Sequence, residues 1–191
     1  MSATDATMRS LAGRLLLAMP TLADPNFAGS VILVCEHNAQ GALGLVVNRP
    51  LRLRLGQILQ QLDLPLNRPG LAAQTVFSGG PVETGHGFVV HEAPTLEEGS
   101  LAVGPALAVA ASESLLAAIA GGEGPKRFLV ALGYAGWGPG QLEGEFVENA
   151  WLDTPVSPEL LFETPPEERW QRAAAAIGVD SIRLSGEPGH A

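Results

Sequence analysis

Two short apolar runs lie close together near the start of the chain: residues 30–36 (Ser-Val-Ile-Leu-Val-Cys-Glu) and residues 43–48 (Leu-Gly-Leu-Val-Val-Asn). Segments of this composition are typical of strands, because branched side chains pack well on a pleated surface. The six residues between the runs include Gly41, and a short connection with a glycine joins antiparallel neighbours. The pattern therefore predicts an antiparallel β-hairpin.

The order of the other elements extends this hairpin into a larger sheet. Predicted strands cluster in the first half of the chain and are not regularly interleaved with helices. That order favours an α+β fold with a mainly antiparallel sheet over a doubly wound parallel sheet. We see no internal repeat or linker, so we expect a single domain over residues 1–191 with an ordered core of about 12–186. The other predicted strands are residues 14–19, 75–78, 87–91, 100–103, 128–132 and 181–185, and two predicted helices are residues 55–62 and 113–120.

Two local motifs predict how the later helices begin. The glycine-rich stretch 133–138 predicts a loop, followed by a helix with Pro139 at its first position. Residues 164–167 (Thr-Pro-Pro-Glu) predict a capping box that opens another helix. The apolar face predicted for that last helix consists of Trp170, Ala173, Ala174 and Ile177.

The distribution of charge argues against nucleic-acid binding. The chain has 11 basic and 20 acidic residues, a net charge of −9, and residues 141–168 contain eight acids and no Lys or Arg. Neutralisation of phosphates by Lys and Arg supplies most non-specific affinity for DNA. The one locally basic stretch holds Arg49, Arg52, Arg54 and Arg68, and its first part alternates with leucines as on the edge of a sheet. We therefore expect no direct contact with nucleic acid.

Cysteine usage and hydropathy indicate the compartment. The chain has one cysteine, Cys35, so it cannot form an internal disulfide, which suits a reducing environment. The apolar run 15–19 is too short for the core of a signal peptide and is followed by Pro20. No stretch reaches the roughly 18 apolar residues needed to span a bilayer. We expect a cytoplasmic protein that does not bind membranes.

Several ordered sequence blocks resemble those of the YqgE/AlgH family of bacterial proteins. The resemblance extends over about residues 12–191. It rests on Met19-Pro20 with Leu22, Asp24, Pro25 and Phe27; Glu36-His37-Asn38; residues 41–50 (Gly-Ala-Leu-Gly-Leu-Val-Val-Asn-Arg-Pro); Gly79-Gly80-Pro81-Val82; residues 87–91 (Gly-Phe-Val-Val-His); residues 133–137 and 140–143; Asn149-Ala150-Trp151-Leu152; and Gly189-His190-Ala191.

The resemblance implies a fold and a label, and no mechanism. It implies a bent sheet that partly closes into a barrel and is flanked by helices. It also implies the label of transcriptional regulator, which the family often carries and which describes a phenotype. It supplies no catalytic residues. His86 stands where the family usually has Arg, so an anion site that used that Arg would be weaker here or dependent on pH.

Cys35 and His37 are the pair closest to a metal or thiol site. Their spacing of two residues places both side chains on one face of a regular strand. A metal would need at least two further ligands, and the chain has neither Cys-x-x-Cys nor His-Glu-x-x-His. We expect Cys35 to be a core residue, and we expect no metal and no cofactor.

The polar residues at the ends of the two runs are the candidate binding site. If Glu36, His37 and Asn38 gather with Asn48 and Arg49 at one end of the hairpin, they would form an anion or small-molecule pocket. The Arg49 guanidinium would supply a fork of donors there. The alternative is a network that ties down the loop without any ligand. His91 is the remaining candidate member of the site.

These observations favour a non-enzymatic cytoplasmic protein that acts in regulation through a protein partner or a small ligand. No nucleophile elbow, phosphate-binding loop or acid/base pair of carboxylates is present in the sequence. The alternative is a small-molecule or anion-binding protein, or an enzyme, whose site includes residues 36–38, Asn48, Arg49 and His91.

Overall fold

The computed structural model describes residues 9–93, 99–111 and 113–180, and it shows an α+β fold built on one ten-stranded sheet. The strands are β1 Arg14–Ala18, β2 Val31–Asn38, β3 Gly41–Val46, β4 Pro50–Arg54, β5 Thr75–Ser78, β6 Val82–Glu92, β7 Ser100–Val103, β8 Leu107–Ala110, β9 Phe128–Trp137 and β10 Trp151–Pro155. The helices are α1 Leu55–Gln61, α2 Glu113–Ala120, α3 Gln141–Val147, α4 Pro158–Phe162 and α5 Arg169–Ala176, with a 3₁₀ turn at Pro166–Glu168.

The sheet is mainly antiparallel and curls toward closure. Its main path runs β10-β1-β2-β3-β9-β6-β8-β7, while β4 pairs with β5, and β5 joins β9 as a parallel neighbour. At the far end of the path β7 comes back against β2. A Cβ atom added to Gly13 would lie 2.9 Å from the backbone nitrogen of Gly104, so this approach needs a glycine. The curled half-barrel confirms the predicted fold class.

The predicted hairpin is confirmed, but β2 is longer than predicted, β3 begins two residues earlier, and the turn is shorter. Asn38 pairs with Gly41, so Ala39 and Gln40 alone form the turn. Between Val34 and Glu36 the register shifts by one residue, which is a β-bulge. The bulge changes which side chains share a face beyond Val34.

The prediction of a glycine-rich loop at residues 133–138 is wrong, because β9 continues to Trp137. On one edge of β9, residues 128–132 and Tyr134 pair with β6. On the other edge, residues 130–132 pair with β5 and residues 135–137 pair with β3. Gly133 lies where the partner on this second edge changes from β5 to β3. Its φ is +77°, and its added Cβ would lie 2.5 Å from the carbonyl oxygen of Gly80. Here glycine permits a close approach and a bend inside a strand.

Two of the predicted helices are confirmed, whereas the predicted capping box is wrong. The helix predicted at residues 55–62 forms as α1, and the one predicted at residues 113–120 matches α2. The capping box at Thr164 is wrong: its hydroxyl donates to the carbonyl of Glu159, and the 3₁₀ turn has no side-chain cap. The strand predicted at residues 181–185 lies outside the described residues. Sequence patterns also missed β8, β10 and α4.

Apolar side chains cover both faces of the sheet in three clusters. On one face, Leu15, Leu17 and Leu33 pack with Ala173 and Ala174 of α5. Leu55 and Leu59 of α1 and Ile119 of α2 cover β5, β6 and β9. Fully burying a leucine side chain contributes about 1.5–3 kcal/mol, so these clusters supply most of the driving force for folding. The third cluster holds α3 against the opposite face of β1 and β2 through Leu16, Ile32, Val34, Trp137, Leu142 and Trp151.

Candidate functional site

The structure separates the two halves of the predicted site. Glu36 and Asn38 lie at the turn end of the hairpin, where Asn38 pairs with Gly41. Asn48 lies at the other end, where its Oδ1 accepts the backbone N–H of Val31 at 2.9 Å. Glu36 lies five positions after Val31 along β2, or roughly 16 Å away at the usual rise per residue. A hairpin reverses the chain, so residues that follow its second strand return to the start of the first. The expectation that these residues gather at one end is wrong.

Asn48 and Arg49 fasten the loop that precedes β2. The Nδ2 of Asn48 donates to the carbonyl of Gly29 at 3.0 Å. The Arg49 guanidinium donates to the carbonyls of Pro25 at 3.3 Å and Ala28 at 2.7 Å, and also to that of Asn26. Because the donors of this guanidinium are bonded to three loop carbonyls, Arg49 has a structural role without any ligand. This geometry matches the alternative that the sequence left open, a network that ties down a loop.

His37 is buried and uses both ring nitrogens. Its Nδ1 accepts the backbone N–H of Leu11 at 3.0 Å, and its Nε2 lies 2.8 Å from Oε1 of Glu143 in α3. An Nδ1 that accepts a hydrogen bond carries no proton. The ring proton is therefore on Nε2, which donates a hydrogen bond to the Glu143 carboxylate. The pKa of Glu143 is lowered by a hydrogen bond from its own backbone N–H and then by His37. His37 therefore links the N-terminal segment to α3, and neither nitrogen is free for a metal.

Cys35 and His37 lie on opposite faces of the sheet, contrary to the prediction. Cys35 packs with Leu33 and Leu45, while His37 contacts Leu11 and α3 on the other side. The β-bulge at Val34–Glu36 explains the difference, because one extra residue breaks the alternation of side chains. Burial, and then the charge of Glu36, raises the pKa of the Cys35 thiol to about 12. The expectation that Cys35 is a core residue is confirmed.

His91 is buried within a separate part of the sheet. Its register partners are Ala108 in β8 and Phe128 in β9. Its Nδ1 lies 2.7 Å from the carbonyl of Glu92, and its Nε2 lies 3.4 Å from Oγ of Ser100. Since Phe128 begins β9 and the hairpin turn pairs with the far end of that strand, His91 does not share a pocket with residues 36–38.

One fragment of the predicted site lines a shallow cavity. Glu36 and Asn38 border a space of about 380 Å³ together with Gln40, Gly41 and Trp137. Both side chains are exposed, and Asn38 Oδ1 accepts the backbone N–H of Gln40 at 2.8 Å. Glu36 brings a carboxylate to this cavity, and no basic residue lines it. An anion pocket at this end of the hairpin is therefore not supported by charge.

Arg169 is a buried polar residue that the sequence did not single out. Its Nε donates to the carbonyl of Thr164 at 3.0 Å, its Nη1 donates to the carbonyl of Val47, and its guanidinium carbon lies 5.0 Å from the ring centroid of Phe77. Burial lowers the pKa of Arg169 to about 10, against the opposing charge of Glu167. These contacts attach the start of α5 to the end of β3. No local signal marks such long-range carbonyl partners.

A second cavity, named here the α1–α2 cavity, was also missed. It has a volume of about 440 Å³ and lies between α1, α2 and the β6–β9 face of the sheet. His86, which the sequence marked as a departure from the family pattern, lines this cavity together with Leu62. Ile58 of α1 and Leu62, which follows α1, line the cavity and stay partly exposed, and no local pattern in the sequence shows this exposure.

Metal and membrane features are absent from the part of the chain that the structure describes. Within residues 9–93, 99–111 and 113–180, no three His, Cys, Asp or Glu side chains lie close enough to hold a metal ion. Over the same residues, no helix has the length and apolar character that a membrane crossing requires.

Comparisons with known proteins agree along nearly the whole chain. A family model described as AlgH-like matches residues 15–182. A UPF0301 protein of Cupriavidus metallidurans is 47% identical over 189 residues, which cover 99% of this chain and all of that protein. A UPF0301 protein of Thioalkalivibrio sulfidiphilus is 50% identical over 176 residues, or 92% of this chain and 94% of the relative.

Two solved structures share the fold. The solution structure of the AlgH protein from Pseudomonas aeruginosa is 45% identical, covers 100% of both chains and superposes with a TM-score of 0.78. The crystal structure of a Corynebacterium diphtheriae protein has a TM-score of 0.72 and covers 92% of both chains. At 19% identity the second structure supports the fold alone.

Proposed function

This chain belongs to the AlgH-like family, and we propose that it is a non-enzymatic cytoplasmic protein that acts in regulation through a protein partner or a small ligand. The label of transcriptional regulator, which the family often carries, describes a phenotype and not a mechanism. On this proposal the regulation does not pass through direct contact with DNA.

One observation carries the proposal: the side chains best suited to chemistry are occupied by internal contacts. Both nitrogens of His37 are bonded, Arg49 holds three loop carbonyls, and the Cys35 thiol is buried with a pKa of about 12. A catalytic nucleophile or base must be within reach of both a substrate and an orienting group. Polar groups that tie down loops support a stable scaffold that presents a binding surface.

Duplex DNA tests the regulatory route. We expect no saturable binding of a fluorescently labelled duplex at about 10⁻⁴ M protein and physiological salt, where non-specific DNA-binding proteins typically have Kd values of ~10⁻⁴–10⁻⁶ M. The net charge of −9 is the physical reason. The same titration at low salt reveals any weak electrostatic component. A steep fall in affinity with rising salt, extrapolating to tight binding at physiological salt, would contradict the proposal.

A turnover screen tests the non-enzymatic part. The wild-type chain is compared with Glu36→Gln, His37→Gln and Arg49→Lys in assays for hydrolase, transferase and oxidoreductase activity. The exposed Glu148→Gln variant serves as the control, since its side chain faces solvent. We expect no turnover above the protein-free blank in the wild type or in any of the four variants. Turnover that disappears in one of the three variants and persists in Glu148→Gln would establish an enzyme with a site at that residue.

A further inference from the structure

The α1–α2 cavity has an apolar lining. Its floor is formed by β6 and β9, including Phe88, Val130 and Leu132, and its walls by Ile58 of α1 and Leu116 of α2. Phe88, Leu132, Ile58 and Leu116 are all only half-buried, so they leave apolar surface open to water. Its volume of about 440 Å³ falls within the range of ~300–1,000 Å³ that is typical of small-molecule sites. A concave apolar surface with this volume fits a ring system or a short acyl chain.

The polar groups at the edge of the cavity define which head group it accepts. Glu113, Gln61 and His86 are exposed and line the cavity, and neither Lys nor Arg is among its lining residues. Glu113 forms no salt bridge within the part of the chain described by the structure. An anionic head group would meet this carboxylate and the net charge of −9, whereas an ammonium group would gain from both.

The aromatic lining favours the same choice of ligand. Phe88 lines the cavity, and the ring of His86 lies against it with centroids 5.0 Å apart. Residues 83–86 bulge out of the ladder between β6 and β9, since Val82 pairs with Tyr134 and Gly87 pairs with Leu132. This bulge places His86 at the edge of the cavity. An aromatic face attracts a cation and stacks with a flat ring.

We propose that the α1–α2 cavity binds a small apolar amine, with its hydrocarbon part on Phe88, Leu116 and Leu132 and its ammonium group at Glu113. This inference rests on the small-ligand form of the proposed function and names its site and ligand class. Anionic counterparts of the same hydrocarbon bind much more weakly.

A matched pair of fluorescent probes tests the proposal: 9-(aminomethyl)anthracene and anthracene-9-carboxylate. We expect the amine to bind at least about tenfold more tightly than the carboxylate, a difference of ~1.4 kcal/mol. Leu116→Trp, which fills the cavity without adding charge, should weaken binding of the amine at least about tenfold. Glu113→Gln should retain binding of the hydrocarbon and bring the two affinities within about threefold of each other.

The control is Val147→Trp, which adds the same side chain at a position that is 83% exposed and outside the cavity lining. It should bind the amine as the wild type does. Ile58→Trp fills the cavity from the opposite wall and replaces Leu116→Trp if circular dichroism shows that the latter variant is unfolded.

Three outcomes would each overturn the inference: equal binding of both probes, no binding of the amine, or unchanged binding in a folded cavity-filled variant. Those outcomes leave the proposed role through a protein partner intact, whereas DNA binding or turnover would overturn that role without affecting the cavity.

Discussion

The indole rings of Trp137 and Trp151 meet edge to face, with ring centroids 6.1 Å apart and planes inclined by 77°. Both indole N–H groups donate to Oε2 of Glu145, at 2.9 and 2.7 Å. Trp137 ends β9 and Trp151 begins β10, and these strands are not neighbours in the sheet. One carboxylate on α3 therefore joins two distant strands.

Removing this carboxylate should destabilise the fold. Glu145→Ala leaves two partly buried N–H groups without an acceptor, and each such group costs about 1–3 kcal/mol. We expect the free energy of unfolding to fall by about 2–4 kcal/mol in urea titrations followed by circular dichroism, and by less in Glu145→Gln, which keeps one acceptor oxygen. Glu148→Ala, at an exposed position beside α3, is the matched control. Equal losses in the two alanine variants would rule out the bridging role.

The parts of the fold that the sequence predicted are those decided locally. The hairpin, α1 and α2 follow from apolar periodicity over a few residues, and all three form. The prediction of a loop at residues 133–138 was wrong because glycine usually marks a loop, whereas here Gly133 lies where one edge of β9 changes its partner from β5 to β3. The pairing of β9 with β3 joins residues about 90 positions apart, so no local pattern reveals it.

The residues of the candidate site lie apart for a similar reason. Residue types and spacing identified Glu36, His37 and Arg49 as polar groups near a hairpin. Their positions depend on strand register, and one bulge at Val34–Glu36 reverses the face of His37 relative to Cys35. The α1–α2 cavity depends on how two helices pack across the sheet, which the sequence does not encode locally.

The hydrogen bonds of the Arg49 guanidinium predict that lysine at this position gives a less stable protein. Arg49→Lys keeps the charge and loses the planar arrangement that reaches the carbonyls of Pro25, Asn26 and Ala28 together. We expect a loss of about 1–2 kcal/mol in unfolding free energy and faster proteolysis within residues 24–28. Arg52→Lys, at an exposed position of β4, should change neither measurement. If both lysine variants behave alike, the loop does not depend on the guanidinium.

The link from His37 to the N-terminal segment predicts local protection from hydrogen exchange. In His37→Ala the amide of Leu11 loses its acceptor, so its exchange should accelerate by about five- to thirtyfold, the equivalent of ~1–2 kcal/mol. His37→Gln offers an oxygen and an N–H group and should restore part of the protection. His86→Ala serves as a control away from this contact. Unchanged exchange at Leu11 in His37→Ala would mean that the segment is held by other contacts.

Two carboxylates predict how stability depends on pH. A hydrogen bond from Arg127 lowers the pKa of Glu92, and a bond from its own backbone N–H lowers that of Glu143. Because both pKa values are lower in the folded state, the unfolded chain binds more protons as pH falls. The contribution of these two carboxylates to the free energy of unfolding is therefore fully present above their usual pKa of 4.5. It is lost as the pH falls through their lower pKa values in the folded state. Urea midpoints measured from about pH 7 to pH 3 should decline less steeply below about 4.5 in Glu92→Gln than in the wild type. A Glu148→Gln control should follow the wild type, and identical slopes in all three proteins would contradict the assignment.

Cys35 predicts a thiol that reacts only when the chain opens. At pH 8 a pKa of about 12 leaves roughly one thiol in ten thousand ionised, and burial also blocks the approach of a reagent. Native protein should therefore label with iodoacetamide at least about 10³-fold more slowly than the urea-unfolded chain, with a rate that follows unfolding across the urea titration. The chain has a single cysteine, so the signal belongs to this residue.

The variant Glu36→Gln removes the smaller of the two causes of the raised thiol pKa and leaves the burial, so labelling should stay slow. Rapid labelling of the native chain would show instead that β2 opens near Cys35 without global unfolding.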